Sequence, residues 1–233
     1  MSKICAHRGM LKQKTENTIS SFKEAMKYDI DSIELDVHLT KDKKLVVFHD
    51  FTLERMCNIN EYIAELTYNE IKNIKINNED SIPLFKDVLD LFTDTDINLN
   101  VELKSSSYLY NDIEQMTVNM IKDYNMEDYT IFSSFDHRAL RKIKEIDKTL
   151  KVGALYEGFF ENIIDYAKEN NFDAIHPQFL CIDENIIDKA RENNIEVNCY
   201  TINTLREYNY IKNLKVDTII TNIADKILNE GNK

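Results

Sequence analysis

The sequence predicts an α/β fold, a closed (β/α)8 barrel of the TIM type with a small insertion, and three observations carry that expectation. Short β-rich runs alternate with amphipathic helical stretches along nearly the whole chain. Eight such β-then-α units recur at barrel spacing. The 233 residues include only 4 Gly and 2 Pro, with no Pro/Gly/Ser-rich linker, so residues 1–233 are read as a single barrel domain. A doubly wound open sheet is the alternative. Against it, Gly9 stands alone after the first strand rather than in a glycine-rich turn.

Parallel strands are predicted over residues 3–7, 32–37, 97–103, 129–133, 152–156, 173–176, 195–201 and 218–221. Helices are predicted over 18–28, 84–92, 112–124, 137–146, 160–170, 184–193, 205–213 and 225–229. Asn17, Asp136 and Asp183 precede three of these helices, and their short polar side chains are expected to cap free amides. A further β-like run, residues 45–49, follows strand 32–37 too closely for a crossover helix and is expected to fold back as a hairpin. Counting outward from a turn near Lys41-Asp42-Lys43 sets His49 opposite Glu34. Residues 51–81 match no barrel unit and are read as an insertion after His49-Asp50, lying over the barrel mouth. A helical stretch is expected there over 68–74 and a polar turn over 77–80.

Charged residues make up 30% of the chain and the net charge is −12. That balance argues against nucleic acid or an anionic membrane as the main partner, since both demand a basic surface. An anionic small molecule would have to be met by local positive charge. No apolar run approaches the roughly 18 residues of a membrane span, and no apolar signal region precedes the first strand. A cytoplasmic location without stable membrane association is therefore expected, and a homo-oligomer is compatible with the same composition. Cys5, Cys57, Cys181 and Cys199 lie far apart, without Cys-x-x-Cys spacing, and are read as reduced, mostly buried thiols.

The chemistry-bearing residues gather at the ends of β runs. His7-Arg8-Gly9 closes the first, Glu34 and Asp36 lie in the second, His49-Asp50 closes the hairpin run, and Glu102 and Lys104 end the next. Residues two apart on a strand share a face, so Glu34 and Asp36 point one way, as do Glu102 and Lys104. The three carboxylates supply the oxygen ligands that Mg²⁺ or Ca²⁺ prefers. An inward-facing acid among apolar neighbours is costly unless paired or bound to a cation. Two imidazoles beside acids add groups able to move protons near neutral pH, while Arg8 and Lys104 could neutralise phosphate. His38 is read as a hairpin residue, His137 as solvated or helix-capping beside Asp136, and His176 as a pocket-lining residue. Tyr200 ends an apolar run where an aromatic ring could pack a substrate headgroup. No nucleophile elbow, P-loop or His-Glu-x-x-His pattern is present.

Taken in order, these residues resemble the glycerophosphodiester phosphodiesterase family. The resemblance rests on His7-Arg8-Gly9, Thr15-Glu16-Asn17-Thr18, Glu34-Leu35-Asp36-Val37, His49-Asp50 and Glu102-Leu103-Lys104, and runs essentially end to end. Ile82-Pro83-Leu84, Ser133-Ser134-Phe135-Asp136 and Ile219-Ile220-Thr221 extend it. Thr15 stands where the family usually has Pro, Tyr200 where Trp is common, and Asn222 where Asp is frequent; Asn222 is expected still to cap a helix. The resemblance implies one divalent cation held by Glu34, Asp36 and Glu102, with His7 and His49 as acid–base catalysts and Arg8, Lys104 and Tyr200 meeting the substrate. It also implies hydrolysis of glycerophosphodiesters such as glycerophosphocholine to glycerol 3-phosphate and an alcohol. Which imidazole is base and which is acid stays open. A lysophospholipase D-type enzyme and a non-catalytic phosphodiester-binding barrel are the alternatives. The former would favour an apolar or basic docking surface, which the sequence does not reveal.

Overall fold

The computed structural model describes residues 2–77 and 80–230. Strand β1 (Lys3–His7) leads through α1 (Ile19–Ala25) to β2 (Ser32–Leu39) and the short β3 (Leu45–Val47). Helices α2 (Glu54–Cys57) and α3 (Tyr68–Ile71) and the paired strands β4 (Lys75–Ile76) and β5 (Asp80–Ser81) precede α4 (Phe85–Phe92). The chain continues through β6 (Asn98–Leu103), α5 (Ile113–Asp123), β7 (Thr130–Ser134), α6 (His137–Ile146), β8 (Lys151–Tyr156) and α7 (Ile163–Glu169). It ends with β9 (Ala174–Pro177), α8 (Glu184–Glu192), β10 (Glu196–Ile202), α9 (Leu205–Leu214), β11 (Thr218–Thr221) and α10 (Ala224–Glu230).

Eight of these strands pair in parallel in the order β1, β2, β6, β7, β8, β9, β10, β11, and β11 pairs back onto β1 to close the barrel. The sequence pattern explains the two faces of each strand. On β2, Ile33, Leu35 and Val37 are fully buried in the main apolar core, and on β6 Leu99, Val101 and Leu103 do the same. Burying each such side chain contributes about 1.5–3 kcal/mol. The alternate residues point into the barrel. There the lumen is unusually polar: Asn100, Ser133, His176 and Asn198 are all buried, where barrels more often stack Val, Ile and Leu. Gly153 makes room for one of them, since a Cβ there would lie 2.2 Å from His176 Nε2. His176 thus sits inside the barrel, its Nε2 3.0 Å from Asn198 Nδ2.

Strand β3 folds back antiparallel on β2, as the hairpin reading expects, but the register differs. Leu39 pairs with Leu45 and Val37 with Val47, so the loop is one residue longer than the count assumed. Phe48 N donates to Asp36 O at 3.0 Å, and continuing the register sets His49 opposite Leu35 rather than Glu34. Thr40 fixes the longer loop, with Oγ1 accepting from Lys44 N at 2.9 Å and donating to Asp42 Oδ1 at 2.7 Å. Residues 51–81 bury Leu53, Ile63, Ile71 and Ile76 against Val46 and Phe48, forming an apolar cluster of their own beside β3. The helix predicted over 68–74 stops at Ile71. Of the turn predicted over 77–80, Asn78 and Glu79 lie outside the described residues. Asp136 and Asp183 cap α6 and α8. Thr18, not Asn17, caps α1 by accepting from Ser21 N. Among the described residues no helix is long and apolar enough to cross a membrane, and all four cysteines are unpaired.

Candidate active site

Strand register brings the predicted residues together at the C-terminal mouth of the barrel. His7 on β1 lies beside Glu34 on β2, Asp36 on β2 lies beside Glu102 on β6, and Glu102 lies beside Ser133 on β7. Because Glu34 and Asp36 are two apart, both side chains enter the same space. Ligand-capable oxygens of Glu34, Asp36 and Glu102 lie within 4.8 Å of one another. His7, Arg8, Glu34, His49, Glu102 and Tyr200 all line a cleft of about 200 Å³. Asp36 and Lys104 form its buried support.

Two fixed cations lie among the three acids and offset part of their charge. Lys104 Nζ lies 2.8 Å from Asp36 Oδ1 and 2.5 Å from Glu102 Oε1. Arg8 Nε lies 3.4 Å from Asp36 Oδ2, and its Nη1 donates to Glu16 Oε1 at 3.1 Å. Burial alone would raise Asp36, but Lys104 and Arg8 outweigh it and hold that carboxyl well below the usual range. Burial, together with Asp36 and Glu102, pushes Glu34 well above it. Glu102 is pushed up to about 7 by burial, with Lys104 opposing the rise. Glu34 Oε2 accepts from Arg8 N at 3.0 Å, whereas the buried Oε1 has no hydrogen-bond partner. A cluster of oxygen-only donors with one orphaned carboxylate oxygen is what a hard divalent ion would satisfy, so these residues could hold a metal ion.

The two imidazoles differ in their support. His7 Nδ1 lies 2.7 Å from Asn222 Oδ1. That oxygen can only accept, so the proton sits on Nδ1 and Nε2 is left as an acceptor, 3.8 Å from Glu34 Oε2. Burial, then the Arg8 charge, lowers His7 to about 3. His49 Nδ1 lies 2.5 Å from Asp50 Oδ1. Asp50 in turn accepts from Arg55 Nε at 2.6 Å, and Arg55 also donates to Glu16. Burial lowers His49 as well, while Asp36 and Asp50 favour its charged form.

Backbone geometry explains Gly9. Arg8 and Gly9 both have positive φ, and a Cβ at Gly9 would lie 2.4 Å from Ser21 Oγ. The turn needs a residue without a side chain there.

Four supporting residues escape the sequence reading. Asn17 donates through Nδ2 to Asp36 Oδ2 at 2.7 Å, so it clamps the acid cluster instead of capping α1. His38 does pair in the hairpin with Val46, but it is fully buried. Its ring bonds Tyr110 OH at 2.6 Å and His49 O at 3.2 Å, which anchors the backbone of the second imidazole. The signal was present: His38 continues the inward phase of Glu34 and Asp36. Asn222 orients His7 and donates to Asn203 Oδ1, while Thr221 Oγ1 accepts from Ile223 N, so its expected capping role is not the one observed. Arg55 belongs to the insertion, five residues beyond Asp50, and the fold brings it to Glu16 as well. His137 is neither solvated nor a cap. Its ring is part-buried against Tyr166 and Phe172 and bonds Leu155 O at 2.8 Å. Tyr200 donates to Tyr156 O at 3.0 Å and meets Phe135 edge-to-face.

The model of the Glycerophosphoryl diester phosphodiesterase family matches residues 7–226. A glycerophosphodiester phosphodiesterase from Caldanaerobacter subterraneus subsp. tengcongensis is 35% identical, covering 97% of this chain and 96% of that protein. A human lysophospholipase D is 30% identical over a shorter region, 61% of this chain and 48% of that protein. A phosphodiesterase from Oleispira antarctica, solved in complex with sn-glycerol-3-phosphate, superposes with a TM-score of 0.93 at 22% identity, over 100% of this chain and 98% of that one. That likeness shows the barrel fold. The sequence match over nearly the whole length shows the family: this chain is a member of the glycerophosphoryl diester phosphodiesterase family.

Proposed function

We propose that this barrel hydrolyses glycerophosphodiesters, for example glycerophosphocholine and glycerophosphoethanolamine, to sn-glycerol 3-phosphate and the free alcohol. The observation that carries the reading is the strand register that gathers Glu34, Asp36 and Glu102 beside His7 in one cleft. The three acids would hold one divalent cation, Mg²⁺ or Ca²⁺; when bound, such an ion draws charge from a phosphoryl oxygen. Arg8 and Lys104 present positive charge to the phosphate.

His7, neutral and with Nε2 free to accept, takes the proton from the attacking hydroxyl. His49, whose protonated form Asp50 stabilises at 2.5 Å, returns a proton to the leaving alkoxide. Tyr200 packs the substrate at the cleft wall. The product seen on the Oleispira protein supports this assignment of substrate class. The insertion over residues 51–81 belongs to the same working unit, since its Arg55 holds Asp50. A net charge of −12 argues against nucleic-acid partners and stable association with anionic membranes. Four unpaired cysteines suit a reducing compartment, and we place the enzyme in the cytoplasm.

The test is release of glycerol 3-phosphate from a panel of glycerophosphodiesters after EDTA treatment, then with Mg²⁺, Ca²⁺ or Mn²⁺ restored. Metal-dependent release is expected; no release with any metal would defeat the reading.

A second reading, a lysophospholipase D-type activity, is favoured by one observation the sequence did not reveal. Tyr108, Phe135, Phe159 and Leu180 stand exposed on loops that follow β6, β7, β8 and β9, around the same mouth. Such a rim could receive an acyl chain. Choline release from lysophosphatidylcholine vesicles would support it, and hydrolysis confined to deacylated substrates would exclude it.

A further inference from the structure

The cleft has two chemically distinct walls. Around the barrel, β8 lies four strands from β1 in either direction, so the loop after β8 faces His7 and Arg8 across the mouth. Glu157 is the first residue of that loop, is exposed, and lines the cleft. The acids lining this cleft are Glu34, Glu102 and Glu157. Glu34 accepts from Arg8 N and Glu102 pairs with Lys104, whereas Glu157 has neither hydrogen bond nor ion pair among the described residues. Beside it stand Phe135, half exposed, and Tyr200, with ring centroids 6.1 Å apart and planes at 89°. Two perpendicular rings make a corner walled by one face of each, and a cation lying in it meets the negative face of both rings. Quaternary ammonium groups are held by such aromatic surfaces, typically with an acid nearby.

We propose that Phe135, Tyr200 and Glu157 form a subsite for a cationic alcohol, so that the enzyme favours glycerophosphodiesters whose leaving alcohol carries an ammonium group. The inference rests on the phosphodiesterase reading and specifies the substrate class of that site. The phosphate sits by Arg8 and Lys104, and the alcohol it esterifies reaches toward the opposite wall. There a positive headgroup meets an unmatched carboxylate and two π-faces. A neutral polyol gains neither, and an anionic headgroup is repelled by Glu157. Because Glu157 is exposed, its attraction is screened by salt.

The experiment compares kcat/KM for glycerophosphocholine and for glycerophosphoglycerol, both read by glycerol 3-phosphate release, at low and high ionic strength. In the wild-type chain the choline ester is favoured and its advantage shrinks with salt. In Glu157→Gln the choline-to-glycerol ratio falls about three- to tenfold and its salt dependence disappears; Phe135→Leu lowers the same ratio about threefold or more. Ratios that stay within about twofold of wild type in both variants overturn the subsite. A wild-type chain that hydrolyses neither ester overturns the phosphodiesterase reading and, with it, the subsite.

Discussion

Removing or adding the divalent cation should reveal the protons held by the acid cluster. Burial lifts Glu102 from 4.5 to about 7, and Glu34 is also raised well above its ordinary value. In the cation-free protein Glu102 therefore keeps a proton that the unfolded chain has released. The stability tied to that proton is complete below pH 4.5 and is lost as pH climbs to about 7. The shift corresponds to about 3 kcal/mol, or roughly 6–12 °C in Tm for a chain of this size. His7, His38 and His176 work in the opposite direction. Each is lowered to about 3 by burial, so their contribution is present above the ordinary histidine value and lost as pH falls. The difference between melting curves with and without cation removes that background. A cation binds only the ionised carboxylates, so its apparent affinity should rise about tenfold per pH unit for each proton displaced, and the part of that rise due to Glu102 should end above about pH 7 as Glu102 ionises. Isothermal titration in two buffers of different ionisation enthalpy, at pH 5.5 and 7.5, would read both the affinity and the protons released. In Glu102→Gln one fewer proton should be released and binding should weaken. Equal affinity at the two pH values, or binding without proton release, would show that the acids are not the cation's ligands.

Three further outcomes follow from the geometry. His7→Ala should lower kcat by about 10²–10⁴-fold while leaving the far-UV circular dichroism spectrum unchanged; near-normal turnover would remove His7 from the chemistry. Asn222→Asp places a charge 2.7 Å from His7 Nδ1, which raises the imidazole's pKa and moves the acid limb of the kcat/KM profile to higher pH by about a unit or more; an unmoved limb would mean that another group titrates there. Gly9→Ala must place a Cβ 2.4 Å from Ser21 Oγ at positive φ, costing at least about 2 kcal/mol, or roughly 4–8 °C in Tm; an unchanged melting temperature would contradict the tight turn.

Local patterns were legible in the sequence, and long-range registers were not. The alternation of Ile33, Leu35 and Val37 with Glu34 and Asp36 announced a strand with a polar inner face, and the structure has it. The pairing of Asp36 with Glu102 could not be read, because parallel register is set by how the intervening crossover packs. Hairpin register failed by one residue because Thr40 closes a five-residue loop through its side chain, giving Leu39 opposite Leu45. Asn17 looked like a cap because a short polar residue before a helix usually is one. Its partner, Asp36, lies 19 residues away on a strand. Asn222 was missed for the same reason, since His7 lies 215 residues away and only the closed barrel brings them near; Arg55 lies five residues from Asp50, but its second partner, Glu16, is 39 residues away. His38 was within reach, since the phase that turned Glu34 and Asp36 inward also turned His38 inward.

The most direct measurement is a crystal soaked with Mn²⁺ and glycerol 3-phosphate, with diffraction recorded at the manganese edge. A single anomalous peak should lie among the carboxylates of Glu34, Asp36 and Glu102, with the phosphate within hydrogen-bond reach of His7 and His49. A saturated crystal with no peak there, or with the phosphate bound away from both imidazoles, would contradict that arrangement.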